Sequence, residues 1–120
     1  MATILSVDDS ASLRQMLFIT LQNAGYQVTS AEDGRQALEL ARQFEFDLVL
    51  TDFNMPLLNG LGLVKELRQL PSYRFTPILV LTTDDSADKK QAGREAGATG
   101  WLKKPIDPQL LVQTIAKVLS

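Results

Sequence analysis

The chain has 120 residues, of which 45% are hydrophobic and 22% charged, a composition typical of one soluble globular domain. Its 12 basic and 14 acidic residues give a net charge of −2, so there is no basic excess to indicate binding to nucleic acid. The absence of cysteine and histidine excludes disulfides, thiolate zinc sites, cysteine nucleophiles, Ser-His-Asp triads and phosphohistidine chemistry. The apolar runs are only strand-sized, and Asp8 and Asp9 come too early for a signal-peptide core. We therefore expect a cytoplasmic protein without membrane segments.

The first half of the chain alternates short apolar runs with segments of helical periodicity. Residues 4–7 and 27–31 predict two strands. The helix between them has Ser10 as its N-cap and Gly25 at its C-terminal end, and a second helix begins at the capping-box sequence 33–36. The predicted apolar faces are Leu13, Met16, Leu17, Leu21 and Ala24 in the first helix and Ala37, Leu38, Ala41 and Phe44 in the second.

The next apolar run, residues 48–51, is followed directly by Asp52. A run of this length bounded by turn signals is typical of a strand buried on both faces. Pro56 cannot donate to a strand ladder, so the strand should end before it. Asp52 is therefore predicted at the carboxyl end of a central strand, where parallel sheets bind their ligands.

In the second half, Gly60 and Gly62 predict a flexible loop, and a helix follows from Leu63 to Leu70, where Pro71 stops it. Residues 77–82 predict a fully apolar strand that ends with the hydroxyl of Thr82.

A fourth helix should be capped by Ser86 and extend over residues 87–96. It is intrinsically weak, because its apolar residues are mostly alanine and Gly93 costs about 1 kcal/mol relative to alanine. Residues 99–103 predict the last strand, which leads into Lys104, and Asp107 caps the last helix with Pro108 at its first position. The predicted apolar side of that helix consists of Leu110, Leu111, Ile115, Val118 and Leu119.

Regular alternation of strands and helices predicts an α/β fold, a doubly wound parallel sheet with helices on both faces. If the chain reverses direction after the first pair of strands, the first strand lies beside the third. Asp8, Asp9 and Asp52 would then meet at the same edge of the sheet, with Thr82 and Lys104 at the ends of the following strands. Each of these residues alone has an ordinary structural explanation, such as a helix cap or a turn. Their shared placement is what indicates a site.

The predicted cluster has the parts needed for phosphoryl transfer. Crowded carboxylates resist ionisation unless a divalent cation relieves their repulsion, and Mg²⁺ prefers such oxygen ligands. The ammonium of Lys104 and the hydroxyl of Thr82 could both contact phosphoryl oxygens. An aspartate can act as a nucleophile and form an aspartyl phosphate, a role that Asp52 could fill.

These motifs resemble those of the response-regulator receiver domain along essentially the whole chain, residues 1–120. The resemblance is carried by the residue sets 7–10, 51–56 with 59–60, 81–83 and 104–105. It implies a flavodoxin-like (βα)5 fold with strand order 2-1-3-4-5. It also implies that Asp52 is the phosphoacceptor, that Asp9, Asp52 and the Asn54 carbonyl bind Mg²⁺, and that Asp8 holds the waters of the metal.

For the phosphoryl group, the resemblance implies that Thr82 contacts it and acts in the switch, and that Lys104 pairs with it and precedes a cis proline. Asn59 stands where the family usually has Asp, and we expect only a turn role for it. Trp101 stands at the position of the switch aromatic, usually Tyr or Phe. We expect a partly exposed switch residue there, with a ring larger than that of the usual aromatic.

The resemblance implies a phospho-switch, and not an enzyme beyond its own phosphorylation and dephosphorylation. A histidine kinase would donate the phosphoryl group, and the surface around the fourth helix, Trp101 and the last helix would bind a protein partner. No sequence remains after Ser120 for a DNA-binding or enzymatic output domain, so we expect the output to be a protein contact. We also expect a monomer, with neither nucleic acid nor membrane as a partner. Residues 10–16 look most like the chemotaxis proteins of the CheY type, which implies flagellar motor or chemotaxis partners.

Other functions stay open at this point, beginning with a receiver in a phosphorelay outside chemotaxis. A haloacid-dehalogenase-type phosphatase would need an Asp-x-Asp pattern, whereas Asp8 and Asp9 are adjacent. A flavodoxin-like cofactor binder would have a phosphate loop where these two carboxylates would repel phosphate. A receiver that acts without phosphorylation is also possible, although every acceptor-site residue is present.

Overall fold

A computed structural model of the protein describes residues 1–84 and 86–120. The strands are β1 (Thr3–Val7), β2 (Gln27–Ala31), β3 (Leu48–Asp52), β4 (Ile78–Thr82) and β5 (Gly100–Lys103). The helices are α1 (Ala11–Asn23), α2 (Gly34–Gln43), α3 (Gly60–Gln69), α4 (Ala87–Ala96) and α5 (Pro108–Leu119), with a 3₁₀ turn at Pro71–Tyr73. Among the described residues, no helix combines the length and hydropathy that a bilayer crossing requires.

The five strands form one parallel sheet in the order β2-β1-β3-β4-β5, which confirms the predicted fold. The register sets which residues meet at the carboxyl edge. Val7 pairs with Thr51, so Asp8 and Asp52 leave neighbouring strands at the same level. On the other side of β3, Asp52 itself pairs with Leu81.

The sheet separates two apolar clusters, because successive side chains of each strand point to opposite faces. The α1–α5 face contains Ile4, Leu48, Leu50, Leu79, Leu81 and Leu102 of the sheet with Leu17, Leu21, Leu111 and Ile115 of the helices. The α2–α4 face contains Leu5, Val7, Val49, Ile78 and Val80 of the sheet with Ala37, Ala41, Leu63, Val64, Leu67 and Ala96 of the helices. Burial on both faces explains why β3 and β4 are continuous apolar runs.

The helix signals in the sequence are confirmed. Ser10, Asp33, Ser86 and Asp107 each cap a helix by accepting a hydrogen bond from a backbone N–H in its first turn. Gly25 follows the end of α1 with a φ of 98°. The capping box of α2 differs in one detail, because the Gln36 side chain accepts from the N–H of Glu32, and not from that of Asp33.

The predicted flexible loop at Gly60 and Gly62 is wrong, because both residues lie in the first turn of α3. Asn59, expected to be only a turn residue, caps this helix by accepting from the N–H of Gly62 at 2.8 Å. Gly60 is needed for packing, since a Cβ there would lie 2.4 Å from the carbonyl oxygen of Asp52. The start of α3 is therefore pressed directly against the end of β3.

The predicted placement of three residues on the apolar faces of helices is also wrong. Phe44 lies after the end of α2 in an extended conformation and is 58% exposed. Leu110 is in the first turn of α5 but is 51% exposed, and Ala24 is the exposed C-cap of α1. All three stand at or near helix ends, where the helical period no longer determines which side faces the sheet.

Candidate functional site

Three carboxylates converge at the carboxyl edge of the sheet. Asp8, Asp9 and Asp52 each offer an oxygen, and these oxygens all lie within 4.8 Å of one another. Asp8 and Asp52 are 0% and 4% exposed, whereas Asp9 is exposed to solvent. Adjacent strands bring the three together, as predicted, because β1 and β3 end at the same level.

The carboxylate of Asp8 has one satisfied and one unsatisfied oxygen. Its Oδ1 accepts from the N–H of Ser10 at 2.8 Å, while its Oδ2 is buried without a hydrogen bond to any described residue. Burial raises the pKa of Asp8, and the neighbouring charges of Asp52 and Asp9 raise it further, against the lowering effects of the Ser10 N–H and Lys104. A buried carboxylate oxygen that accepts no hydrogen bond from a described residue, on a residue clustered with two other carboxylates, fits a bound cation.

Lys104 brings a positive charge into the cluster. Its Nζ lies 2.8 Å from Oδ1 of Asp52 and 3.7 Å from Oδ2 of Asp8. Its backbone N–H donates to the carbonyl of Thr82 at 2.8 Å, which fixes the start of this segment against the end of β4. The bond from Lys104 to Pro105 is cis, as the resemblance implied. Three carboxylates facing one ammonium leave the pocket with an excess of negative charge.

Thr82 stands at the end of β4, beside the strand that carries Asp52, and is 3% exposed. Its hydroxyl donates to the carbonyl of Asp84 and accepts from the N–H of the same residue, both at 3.1 Å. The side chain of Asp84 in turn accepts from the N–H of Ser86, which lowers the pKa of this exposed carboxyl. The hydroxyl is thus bound to the loop that precedes α4.

Two further predicted residues lie outside the carboxylate cluster. Asn54 is exposed in the loop between β3 and α3. Trp101 is half-buried on β5 and packs against the apolar cluster of the α2–α4 face. Its partly exposed state agrees with the sequence-based expectation.

Sequence reasoning missed two basic residues beside the site. Nη1 of Arg14, in α1, donates to the backbone carbonyl of Asp8 at 2.8 Å. Nζ of Lys89, in the first turn of α4, lies 4.5 Å from the ring centroid of Phe53, which follows Asp52. Arg14 could have been found as a basic residue one turn after the Ser10 cap. The Lys89 contact has no sequence signal, because it depends on how α4 packs.

Comparison with known proteins identifies this arrangement. The family model that describes the response regulator receiver domain matches residues 4–116 of this chain. The chain belongs to this family. Membership accounts for the strand order and sets aside the haloacid-dehalogenase and flavodoxin alternatives.

Known receiver proteins match almost the whole chain. Protein PilH of Pseudomonas aeruginosa is 39% identical, and the match covers 100% of this chain and 99% of PilH. The structure of the chemotaxis protein CheY4 of Vibrio cholerae is 52% identical, with a TM-score of 0.96 and 98% of each chain covered. The receiver domain of the sensor histidine kinase PA1611 of P. aeruginosa, with a magnesium ion coordinated in its active site cleft, is 28% identical. Its TM-score is 0.91, and the match covers 98% of this chain and 97% of that one.

Proposed function

We propose that this receiver domain, residues 1–120, accepts a phosphoryl group on Asp52 from a histidine kinase, with Mg²⁺ bound beside it. One observation carries the proposal: the oxygens of Asp8, Asp9 and Asp52 lie within 4.8 Å of one another, and Lys104 lies 2.8 Å from Asp52. This arrangement places a nucleophile, a cation pocket and a fixed positive charge at one point.

In the proposed reaction, a carboxylate oxygen of Asp52 attacks the phosphorus of the donor. A new O–P bond forms, and the bond from phosphorus to the leaving group breaks, with the leaving group taking the electron pair. The ammonium of Lys104 then pairs with oxygens of the transferred group. Burial of Asp52 limits the access of water to the resulting acyl phosphate.

Mg²⁺ fits the donor set of the pocket. Asp9 and Asp52 would hold it by their carboxylates and Asn54 by its backbone carbonyl, while Asp8 would hold its waters. When bound, the ion neutralises charge on the phosphoryl oxygens. The magnesium ion in the related PA1611 receiver domain supports this assignment.

The proposed output begins at Thr82. Its hydroxyl would leave the backbone of Asp84 and donate to the phosphoryl group, and the loop before α4 would follow. Trp101 would change its environment, and the surface formed by α4, β5 and α5 would bind a protein partner. The 52% identity to a chemotaxis protein favours a partner in chemotaxis or motor control.

The phosphorylation proposal is tested with acetyl phosphate, with and without Mg²⁺, by intact-mass spectrometry. We expect one added phosphoryl group on the wild type in Mg²⁺ and none on Asp52→Asn. Asp47→Asn, an exposed carboxylate just before the other end of β3, is the matched control and should be modified like the wild type. An unmodified wild type, or a modified Asp52→Asn, would contradict the proposal.

The switch is tested separately by the fluorescence of Trp101, the single tryptophan of the chain. Adding beryllofluoride with Mg²⁺ should change its emission in the wild type and leave Asp52→Asn unchanged. Emission that does not respond in the wild type would rule out Trp101 as a switch residue. Co-purification with a phosphorelay and no chemotaxis protein would overturn the chemotaxis assignment alone.

A further inference from the structure

Hydrogen bonds with β2, with the start of α1 and with the turn before it fix the backbone and one carboxylate oxygen of Asp8. The N–H donates to the carbonyl of Ala31 at 3.1 Å, and Oδ1 accepts from the N–H of Ser10 at 2.8 Å. The backbone carbonyl accepts from Nη1 of Arg14 at 2.8 Å. The remaining polar atom, Oδ2, is buried without a hydrogen bond to a described residue and faces the cluster.

Arg14 reaches this carbonyl from the first turn of α1. Its own N–H donates to the carbonyl of Ser10 at 2.9 Å, so the helix backbone is fixed one turn away from the contact. The side chain is half-buried, and the planar guanidinium donates in a set direction. The carbonyl it holds belongs to the peptide bond that joins Asp8 to Asp9. Both carboxylates therefore depend on the orientation of this one peptide group.

The guanidinium of Arg14 donates to the backbone carbonyl of Asp8, so the carboxylates stay available for a cation. Among the described residues, the ion pairs of the cluster are those of Lys104 with Asp8 and Asp52. Arg14 instead orients Asp8 and Asp9 through their shared peptide group. Groups that orient metal-binding residues from behind commonly change metal affinity by about 10- to 100-fold when they are removed.

We propose that Arg14 is a positioning residue for the divalent cation, acting through the Asp8–Asp9 peptide. The inference rests on the proposed function, because it concerns the cation that phosphorylation requires. The inference also predicts the direction in which the cation affinity changes when Arg14 is replaced. Removing a nearby positive charge should tighten cation binding by electrostatics alone, whereas losing the positioning hydrogen bond should weaken it.

The test is a calorimetric titration of the phosphate-free protein with Mg²⁺ alone, on the wild type, Arg14→Met and Arg14→Lys. We expect Arg14→Met to weaken binding by about 10-fold or more, within the range for orienting groups. Arg14→Lys retains one donor and should give an affinity between the two. Arg42→Met, the same change at an exposed arginine in the last turn of α2, should bind like the wild type.

Unchanged or tighter Mg²⁺ binding by Arg14→Met would overturn the proposal. Urea unfolding in EDTA shows whether the variant is folded. If Arg14→Met is unfolded, Arg14→Lys decides, and wild-type or tighter affinity in that variant would overturn the proposal. A wild type that binds no Mg²⁺ would count against the proposed function as well, whereas a wild type that binds like Arg14→Met would count against the role of Arg14 alone.

Discussion

The indole ring of Trp101 lies directly against the backbone of α4 at Gly93. A Cβ at position 93 would stand 2.1 Å from both Cη2 and Cζ3 of the ring. Gly93 weakens the helix by about 1 kcal/mol relative to alanine, and the ring occupies the space that the missing side chain leaves. The large indole of β5 and the glycine on the facing helix are therefore matched to each other.

Gly93→Ala should displace this ring. Helix propensity alone predicts a gain of about 1 kcal/mol in the free energy of unfolding, but the contact with the indole leaves no room for a methyl group. We expect red-shifted Trp101 emission, stronger acrylamide quenching and no gain in stability. In a Trp101→Leu background, where the ring is absent, the same change should stabilise the protein. Equal effects of Gly93→Ala in both backgrounds would show that the two residues are not coupled.

Arg68→Met should destabilise the domain. The guanidinium of Arg68 donates to the carbonyls of Tyr73, Thr76 and Gly97 at 2.6, 2.7 and 3.0 Å. It thereby joins α3 to the segment before β4 and to the end of α4. Losing these charge-assisted bonds should cost about 2–3 kcal/mol in urea unfolding. Arg74→Met, a change at an exposed neighbour, should stay within about 0.5 kcal/mol of the wild type, and a similar loss in both variants would contradict the prediction.

Tyr73→Phe tests a buried hydroxyl. The Tyr73 side chain is fully buried, and its hydroxyl donates to the carbonyl of Phe44 and accepts from the N–H of Phe46. Phenylalanine keeps the ring but leaves two backbone groups without a partner, so we expect a loss of about 1–3 kcal/mol in thermal or urea unfolding. Tyr26→Phe, at a half-buried position, is the matched control. A Tyr73→Phe variant as stable as Tyr26→Phe would show that water replaces the lost hydroxyl.

Asp8→Asn should stabilise the protein in EDTA at neutral pH. Burial raises the pKa of Asp8, so the native state binds this proton more tightly than the unfolded state. Stability then falls as the pH rises from the unfolded pKa through the higher folded pKa, and asparagine removes this loss.

The gain should disappear at a pH below the unfolded pKa, where Asp8 is protonated in both states. Urea unfolding at several pH values measures it, with Glu66→Gln, at an exposed carboxylate of α3, as the control. Added Mg²⁺ should stabilise the wild type more than Asp8→Asn. A variant that is less stable than the wild type at neutral pH in EDTA would contradict this account.

Much of this fold could be predicted because its signals are local. Strand-length apolar runs, caps such as Ser10 and Asp107, and acidic or hydroxyl residues after strands are all visible in the sequence. The wrong predictions concern positions whose local structure is determined by tertiary contacts. Gly60 was predicted to lie in a loop because its need for close approach to the Asp52 carbonyl appears only in the packed structure.

The same limit applies to the site. Convergence of Asp8, Asp9, Asp52 and Lys104 could be predicted from strand order. The bonds that hold the site and its surroundings could not, because Arg14 and Arg68 donate to backbone carbonyls. Carbonyls have no residue-specific signature, so a basic residue that binds them looks like any charge on a helix surface.

The small number of buried residues in α4 indicates which part of the domain unfolds locally most readily. Of its own residues, this helix buries only Gly93 and Ala96, whereas α3 buries Leu63, Val64 and Leu67 as well as Gly60. Two aromatic rings also contact it, Phe53 under Lys89 and Trp101 against Gly93. Lifting α4 exposes little hydrocarbon to water, so its amide hydrogens should exchange with deuterium well before those of α3. This weakly anchored helix begins five residues after Thr82, at the end of the strand beside Asp52.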